Sequence, residues 1–328
     1  MFAPYRDVLR TPGAPSFTGA GFVGRLPISM ISLGIVLLET SKGVSYGVAG
    51  TIAASFAVAA AIGGPVVSGF VDRHGQHRIL PFAVAAYTVF MVALLVSLDM
   101  GSSLWLVIPL AVGAGMMMPN FGSLVRARWA YVLPGSDGIH VAYAWESILD
   151  EVVFVIGPPL ATVLALQVHP TAALIVCVLL VLIGTTWLVP QRRTEPAPHG
   201  KSKRVGRPAI LQPGMPLVFV AFVFIGGIFG SFEVVTVAFA QEQNATSATG
   251  VLLAIYAFGS LLAGFAYGAM ASPEFHGRRM TLMLSVMAVV TLGFPLAPNV
   301  AVLAPVALLA GLSVSPVLIS GTALVERI

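Results

Sequence analysis

The stretch SGFVDRHGQHRIL, Ser68 to Leu80, decides the fold. Asp72, Arg73, His74, His77 and Arg78 crowd into seven positions with Gly75 among them, and uncharged runs stand on either side. An ionised side chain at the centre of a bilayer costs about 2.5–3.5 kcal/mol by insertion scales, so charges this dense do not stay in hydrocarbon. The stretch reads as a tight polar hairpin between two buried helices.

Working outward, the composition agrees. Of 328 residues, 57% are hydrophobic and only 9% charged, and the mean hydropathy is +0.94. Soluble domains carry roughly a quarter charged residues. Apolar runs of about 20 residues are long enough to cross a bilayer as helices. A transmembrane barrel is excluded, because its strands alternate polar and apolar positions and these runs are apolar throughout. The single Cys, Cys177, forbids an intrachain disulfide. The net charge of +4 does not point to nucleic acid, since the placement of Lys and Arg matters more than their sum in a membrane protein. The N-terminal MFAPYRDVLRTPGAP is too polar for a signal peptide and reads as a retained cytoplasmic tail.

Ten spans are predicted. Six run from about Phe17 to Glu39, Ser45 to Val71, Ile79 to Leu98, Leu104 to Val125, Tyr143 to Val168 and Thr171 to Pro190. The segment 191–212 follows as a solvated basic linker, with six Lys/Arg, one acid and three Pro within QRRTEPAPHGKSKRVGRP. Spans seven and eight cover Met215 to Ala240 and Ser247 to Ala271. The uncharged run Met280 to Val325 is about two spans long and is expected to fold back at Pro295 to Asn299. With the N-terminus in the cytoplasm, every Lys and Arg of the 17 except Lys42 and Arg25 falls on the cytoplasmic side. The expected domains are residues 1–190, the linker 191–212, and a four-helix second part, 213–328.

An internal repeat relates the halves. GPVVSGFVD from Gly64 aligns with GSLLAGFAY from Gly259, matching Gly64, Gly69 and Phe70 to Gly259, Gly264 and Phe265. That offset carries span two onto span eight, so the repeat unit is six spans.

These residues resemble the major facilitator superfamily, whose loop between helices two and three reads glycine, any, leucine, alanine, aspartate, arginine, any, glycine, then two basic residues. Asp72, Arg73 and Gly75 match in register; Ser68, Phe70 and Val71 depart from it, and Gln76-His77 replace the basic pair, with Arg78 one place late. Gly157-Pro158 in span five is similar to the helix-five pair of antiporters, although the glycines that surround that motif are absent, and Pro109 stands where antiporters carry an Arg in helix four. GRLPISM and ESILDE look like phrases of actinobacterial members. The resemblance implies an all-α polytopic fold of two pseudo-symmetric bundles, with about ten helices present of an expected twelve, the last two apparently missing. It also implies that Asp72 sits against the N-terminal end of helix eleven, a segment this chain does not reach.

The implied activity is secondary transport of a small organic solute by alternating access, in proton-coupled efflux, at the cytoplasmic membrane and as a monomer. The alternatives are a ten-helix drug/metabolite-type carrier or a truncated, non-transporting remnant. Ionisable residues within spans are the site candidates. Glu233 in span seven has no basic residue near it in sequence, and a carboxyl in such surroundings can bind and release a proton. Glu39 lies one residue from its repeat equivalent, but Lys42 three residues on offers a plain ion pair. Arg25 in span one is read either as snorkelling or as pairing with span five, where Glu146 and Asp150 share a helix face and Glu151 does not. Arg25, Arg126 or Arg128 with these acids would form a cytoplasmic gate. Phe22, Met30, Phe229 and Phe232 are expected to wall a cavity, Gly226 and Gly230 to form a packing face, and Gly157-Pro158 to kink span five. No metal-ligand spacing, cofactor motif or catalytic nucleophile signature is present, so neither an enzyme nor a cofactor is expected.

Overall fold

The computed structural model describes residues 3–135, 138–198, 214–269 and 276–327; much of the basic linker and the loop 270–275 lie outside them. The described residues are helical, with no strand among them. Among the described residues, eight helices are long and apolar enough to cross a membrane: Ala14–Ser41, Tyr46–His74, Gln76–Asp99, Leu104–Val132, Gly138–Val168, Met215–Glu242, Thr246–Ala266 and Val300–Ile319. Two shorter apolar helices, Ala172–Leu188 and Thr281–Leu296, bring the expected spans to ten. The fold-back in the last uncharged run is present, since helix His276–Thr291 gives way to a turn at Phe294–Leu296 before Val300–Arg327 begins. Contacts divide the chain into a first unit, Met1–Val153 with Leu160–Ser202, and a second, Lys203–Ile328 with Phe154–Pro159.

The hairpin is tighter than expected. Helix continues through Asp72, Arg73 and His74, and Gly75 alone separates Tyr46–His74 from Gln76–Asp99. Gly75 has φ 92° and ψ 148°, backbone that L side chains rarely adopt, and a Cβ there would stand 3.1 Å from Glu195 Oε1. His74, His77, His140 and His276 are all helical rather than in loops.

Two spans are broken inside, and proline explains both breaks. Span one is helical over Ala14–Arg25 and again over Ile31–Ser41, with a 3-10 turn at Leu26–Ser29 that contains Pro27. Span four is helical over Leu104–Met117 and Phe121–Val132. Between them Met118 is extended, as the residue before a proline tends to be, and Pro119 supplies no amide donor. Asn120 then restarts the helix by accepting from the Ser123 amide at 3.0 Å. The fourth span therefore does not end at Arg126 and Arg128, as expected, but carries both on its second helical segment.

Small residues set the tightest crossings, and each unit has one of the same kind. In the first unit a Cβ on Gly115 would collide with the Phe56 carbonyl, and one on Gly63 with the Met116 carbonyl. In the second, Gly311 faces the Tyr256 carbonyl and Gly259 the Leu308 carbonyl in the same way. A serine pair accompanies each crossing, Ser68–Ser123 at 3.3 Å and Ser260–Ser315 at 2.8 Å, both 55 residues apart in sequence. The glycines thus repeat in the packing at an offset of 196 residues, one more than in the sequence alignment, while the serine pairs repeat at 192, one helical turn away. Gly63, not Gly64, is the counterpart of Gly259, because one residue turns about 100° around a helix and a Cβ on Gly64 would meet nothing within 4 Å. Gly226 and Gly230 are exposed, and a Cβ on either would meet nothing within 4 Å, so the face expected there does not form.

Gly115→Ala and Gly311→Ala should each destabilise the protein by about 1–3 kcal/mol through overpacking. Gly226→Ala should be neutral or slightly stabilising. Thermal unfolding followed by far-ultraviolet circular dichroism in detergent micelles measures all three.

Candidate functional site

The ionisable residues of the first unit gather where the two broken spans meet span five. Arg25 ends the first helical segment of span one and is buried, and Glu146 of span five is fully buried beside it. Arg25 Nη2 donates to Glu146 Oε2, and Nη1 donates to Asp150 Oδ1 at 2.9 Å. Arg126 Nη2 donates to the other oxygen of Asp150 at 2.6 Å. Glu146 Oε1 accepts from Trp129 Nε1 at 2.8 Å and from Thr18 Oγ1 at 3.4 Å. Phe17 closes the site edge-on against Trp129, with ring centroids 4.8 Å apart. Ser29 Oγ, within the break of span one, donates to the Val153 carbonyl at 2.9 Å and ties the break to span five.

The spacing explains this set. Glu146 and Asp150 are four apart and share a face, so one guanidinium reaches both, as a planar fork with several donors can. Burying a charge pair repays its desolvation only when the remaining lone pairs and protons are satisfied. Here Trp129 and Thr18 complete Glu146. Neither was identified from sequence, because a Trp and a Thr on apolar helices carry no charge signal. Of Arg25's nitrogens, only Nε is buried without a partner.

Arg128 does not join the cluster. It lies two residues from Arg126, about 200° around the helix, and points the other way. It is fully buried and donates from Nε to Gln76 Oε1 at 2.8 Å, from Nη1 to the Gln191 carbonyl and Thr194 Oγ1 at 2.8 Å each, and from Nη2 to the Leu188 carbonyl at 3.1 Å. These carbonyls follow the end of helix Ala172–Leu188, where a cation is favoured by the helix dipole. Gln76 in turn donates to the Leu124 carbonyl at 3.0 Å. Glu195, the one acid in the basic linker, accepts from the His77 amide at 3.0 Å and contacts His77 Nδ1 at 2.8 Å. The start of the linker is therefore pinned to the Gly75 turn. Asp72, Arg73 and Arg78 are exposed, with no ion pair among the described residues. Glu151 is half-buried, off the face of Glu146 and Asp150.

The two proton-exchange candidates sit differently. Glu39 is buried with Lys42 Nζ 3.7 Å from its Oε1, while Lys42 also donates to the Leu98 carbonyl at 2.8 Å. Glu233 lies in the second unit, half-buried on Met215–Glu242, with no hydrogen bond or ion pair among the described residues. Its neighbour Phe232 is buried, stacked on Phe294 at 4.8 Å and tilted against Tyr256 at 4.5 Å. Met30 is wholly buried as well. Phe232 and Met30 are packing residues rather than the cavity wall expected of them. Gly157 and Pro158 are buried in span five, whose helix runs on through both prolines to Val163. A five-residue π-helix, Leu164–Val168, then ends the span.

A family profile described as Major Facilitator Superfamily matches residues 17–328. Among solved structures, the chain is similar to a bacterial homologue of the human lysosomal transporter Spinster in an inward-facing, unoccupied conformation, with a TM-score of 0.64 and 15% identity over 98% of this chain and 75% of that one. It is similar to the human organic anion transporter MFSD10 (TETRAN), with a TM-score of 0.59 and 15% identity over 98% of this chain and 85% of that one. At this identity the likeness is one of fold. A comparison with curated protein sequences finds no match.

Glu146→Gln should lower stability by about 1–3 kcal/mol, since it replaces the buried carboxylate and leaves Arg25 only the half-exposed Asp150 as a charged partner. The double variant Arg25→Met/Glu146→Leu should recover most of that loss. A double-mutant cycle on chemical unfolding in micelles measures the coupling.

Proposed function

Because the chain belongs to the Major Facilitator Superfamily it is a membrane transporter, and we propose that it moves a small organic solute out of the cell in exchange for protons. The mechanism is alternating access by two helical bundles, residues 1–190 and 213–328, joined by the basic linker 191–212. The N-terminus lies on the cytoplasmic side of the cytoplasmic membrane, as the distribution of Lys and Arg favours.

The observation that carries the coupling is Glu233. An acid within a membrane helix is costly and is usually paired or functional. Glu233 has no pairing among the described residues, in contrast to Glu39 beside Lys42 and Glu146 beside Arg25. An unpaired carboxyl can be neutral in one state of the cycle and ionised in another. Proton binding and solute binding then alternate through it. Glu39, with a cation in place, is the weaker carrier.

The cluster of Arg25, Arg126, Glu146 and Asp150 serves this cycle as an internal brace of the first bundle. All four lie within the first unit, so their pairing holds spans one, four and five together as one body. Gly75 fixes the turn that presents Asp72, Arg73 and Arg78, which have no ion pair among the described residues and can engage other segments on the cytoplasmic face. Gly157-Pro158 removes a backbone donor within the continuous helix of span five, and that is the place where it would bend as the bundle rocks.

In proteoliposomes with an imposed pH gradient, Glu233→Gln should abolish gradient-driven solute movement while leaving solute exchange at equal pH in place. Gradient-driven transport by Glu233→Gln at the wild-type rate would sink the assignment. Glu39→Gln should retain most of the coupling.

A further inference from the structure

The charge cluster leaves one of its buried donors unpaired. Arg25 is buried, yet its Nε makes no hydrogen bond. Leaving a buried donor unpaired costs about 1–3 kcal/mol, more for a charged group. The group next to that N–H is Gly122, the second residue of helix Phe121–Val132. A Cβ on Gly122 would lie 3.9 Å from Arg25 Nε, 3.1 Å from Arg126 Nη1 and 3.3 Å from Asn120 Oδ1. Two guanidinium edges therefore converge on the bare face of one glycine. The Gly122 amide also belongs to the first turn of its helix, where backbone donors lack intrahelical partners. The approach is not sealed, because Arg126 and Asp150 keep side-chain exposures of 35% and 37%.

We propose that this is a binding site for the carboxylate of a small organic solute, with one carboxylate oxygen accepting from Arg25 Nε and Arg126 Nη1 over Gly122. The inference deepens the transporter reading and rests on it, naming the solute as an organic acid. Asp150 need not leave, since it occupies Arg25 Nη1 and Arg126 Nη2. Planar guanidinium edges favour a carboxylate geometrically. Asn120 Oδ1, already accepting from the Ser123 amide, bounds the third side. Glu146 and Asp150 neutralise the two arginines, so the bound anion is held by hydrogen bonds more than by net charge, and binding is reversible. Gly122 then matters for the space it leaves.

Equilibrium binding of radiolabelled benzoate to the purified full chain in detergent micelles tests the site. Wild type should bind benzoate saturably, and an excess of benzylamine should not displace it. Gly122→Ala should weaken binding at least tenfold while keeping the ligand-free unfolding temperature within a few degrees, because the new methyl meets only the far ends of the Arg126 and Asn120 side chains. Arg126→Gln should weaken binding as much. No saturable benzoate binding to wild type, wild-type affinity in Gly122→Ala, or equal competition by benzylamine would each overturn the proposal. Binding in micelles requires no transport, so such a failure leaves the proton-exchange reading to be judged on Glu233 alone.

Discussion

A guanidinium and a carboxylate, both withdrawn from water, are the constraint on which the first unit turns. Each ion loses several kcal/mol of hydration on burial, and only near-complete coordination returns it. Arg25 and Glu146 meet that demand with groups from span four as well as from spans one and five. Trp129 and Thr18 fill Glu146, and Asp150 takes the second edge of Arg25. The interruptions at Pro27 and Pro119 stand where the arginines must be aimed. Arg25 directly precedes the first break, and Arg126 lies on the short helix that restarts after the second. A straight helix in either place would present its arginine on a different bearing.

Arg128 shows the same economy with neutral partners. It is a buried cation with no carboxylate hydrogen-bonded to it, satisfied by one side-chain amide, one hydroxyl and two carbonyls near a helix end. Together with Gln76 and Glu195 it ties the hairpin, span four, the end of span six and the first residues of the linker into one knot. The first unit thus has two polar anchors on opposite faces of a single short helix.

Charge density made the coarse fold legible. The crowd at Asp72 to Arg78 located the first hairpin, and long uncharged runs located the other helices. What depended on direction around a helix was not legible. Arg126 and Arg128 look equivalent as letters two apart, yet they face opposite ways. The glycine repeat was found one residue out of register, because the alignment matched identities while the packing follows whichever residue faces the neighbouring helix. Gly226 and Gly230 have the right spacing for a packing face and lie exposed. The breaks in spans one and four were marked by Pro27 and Pro119, but a proline in a membrane helix does not by itself say whether the helix bends or stops. Of the site, the acids of span five and their partner Arg25 were readable from spacing. Trp129, Thr18 and Gln76 were not, since they act through position rather than charge.

The single-residue turn at Gly75 has a mechanical meaning. Consecutive Cα atoms lie about 3.8 Å apart, so the ends of the two helices it joins are leashed within about 8 Å of each other. Neither helix can slide along its axis without dragging the other, and Glu195 clasps the joint through His77. Spans two and three are therefore coupled end to end at this joint, and the exposed Asp72 and Arg73 stand beside it.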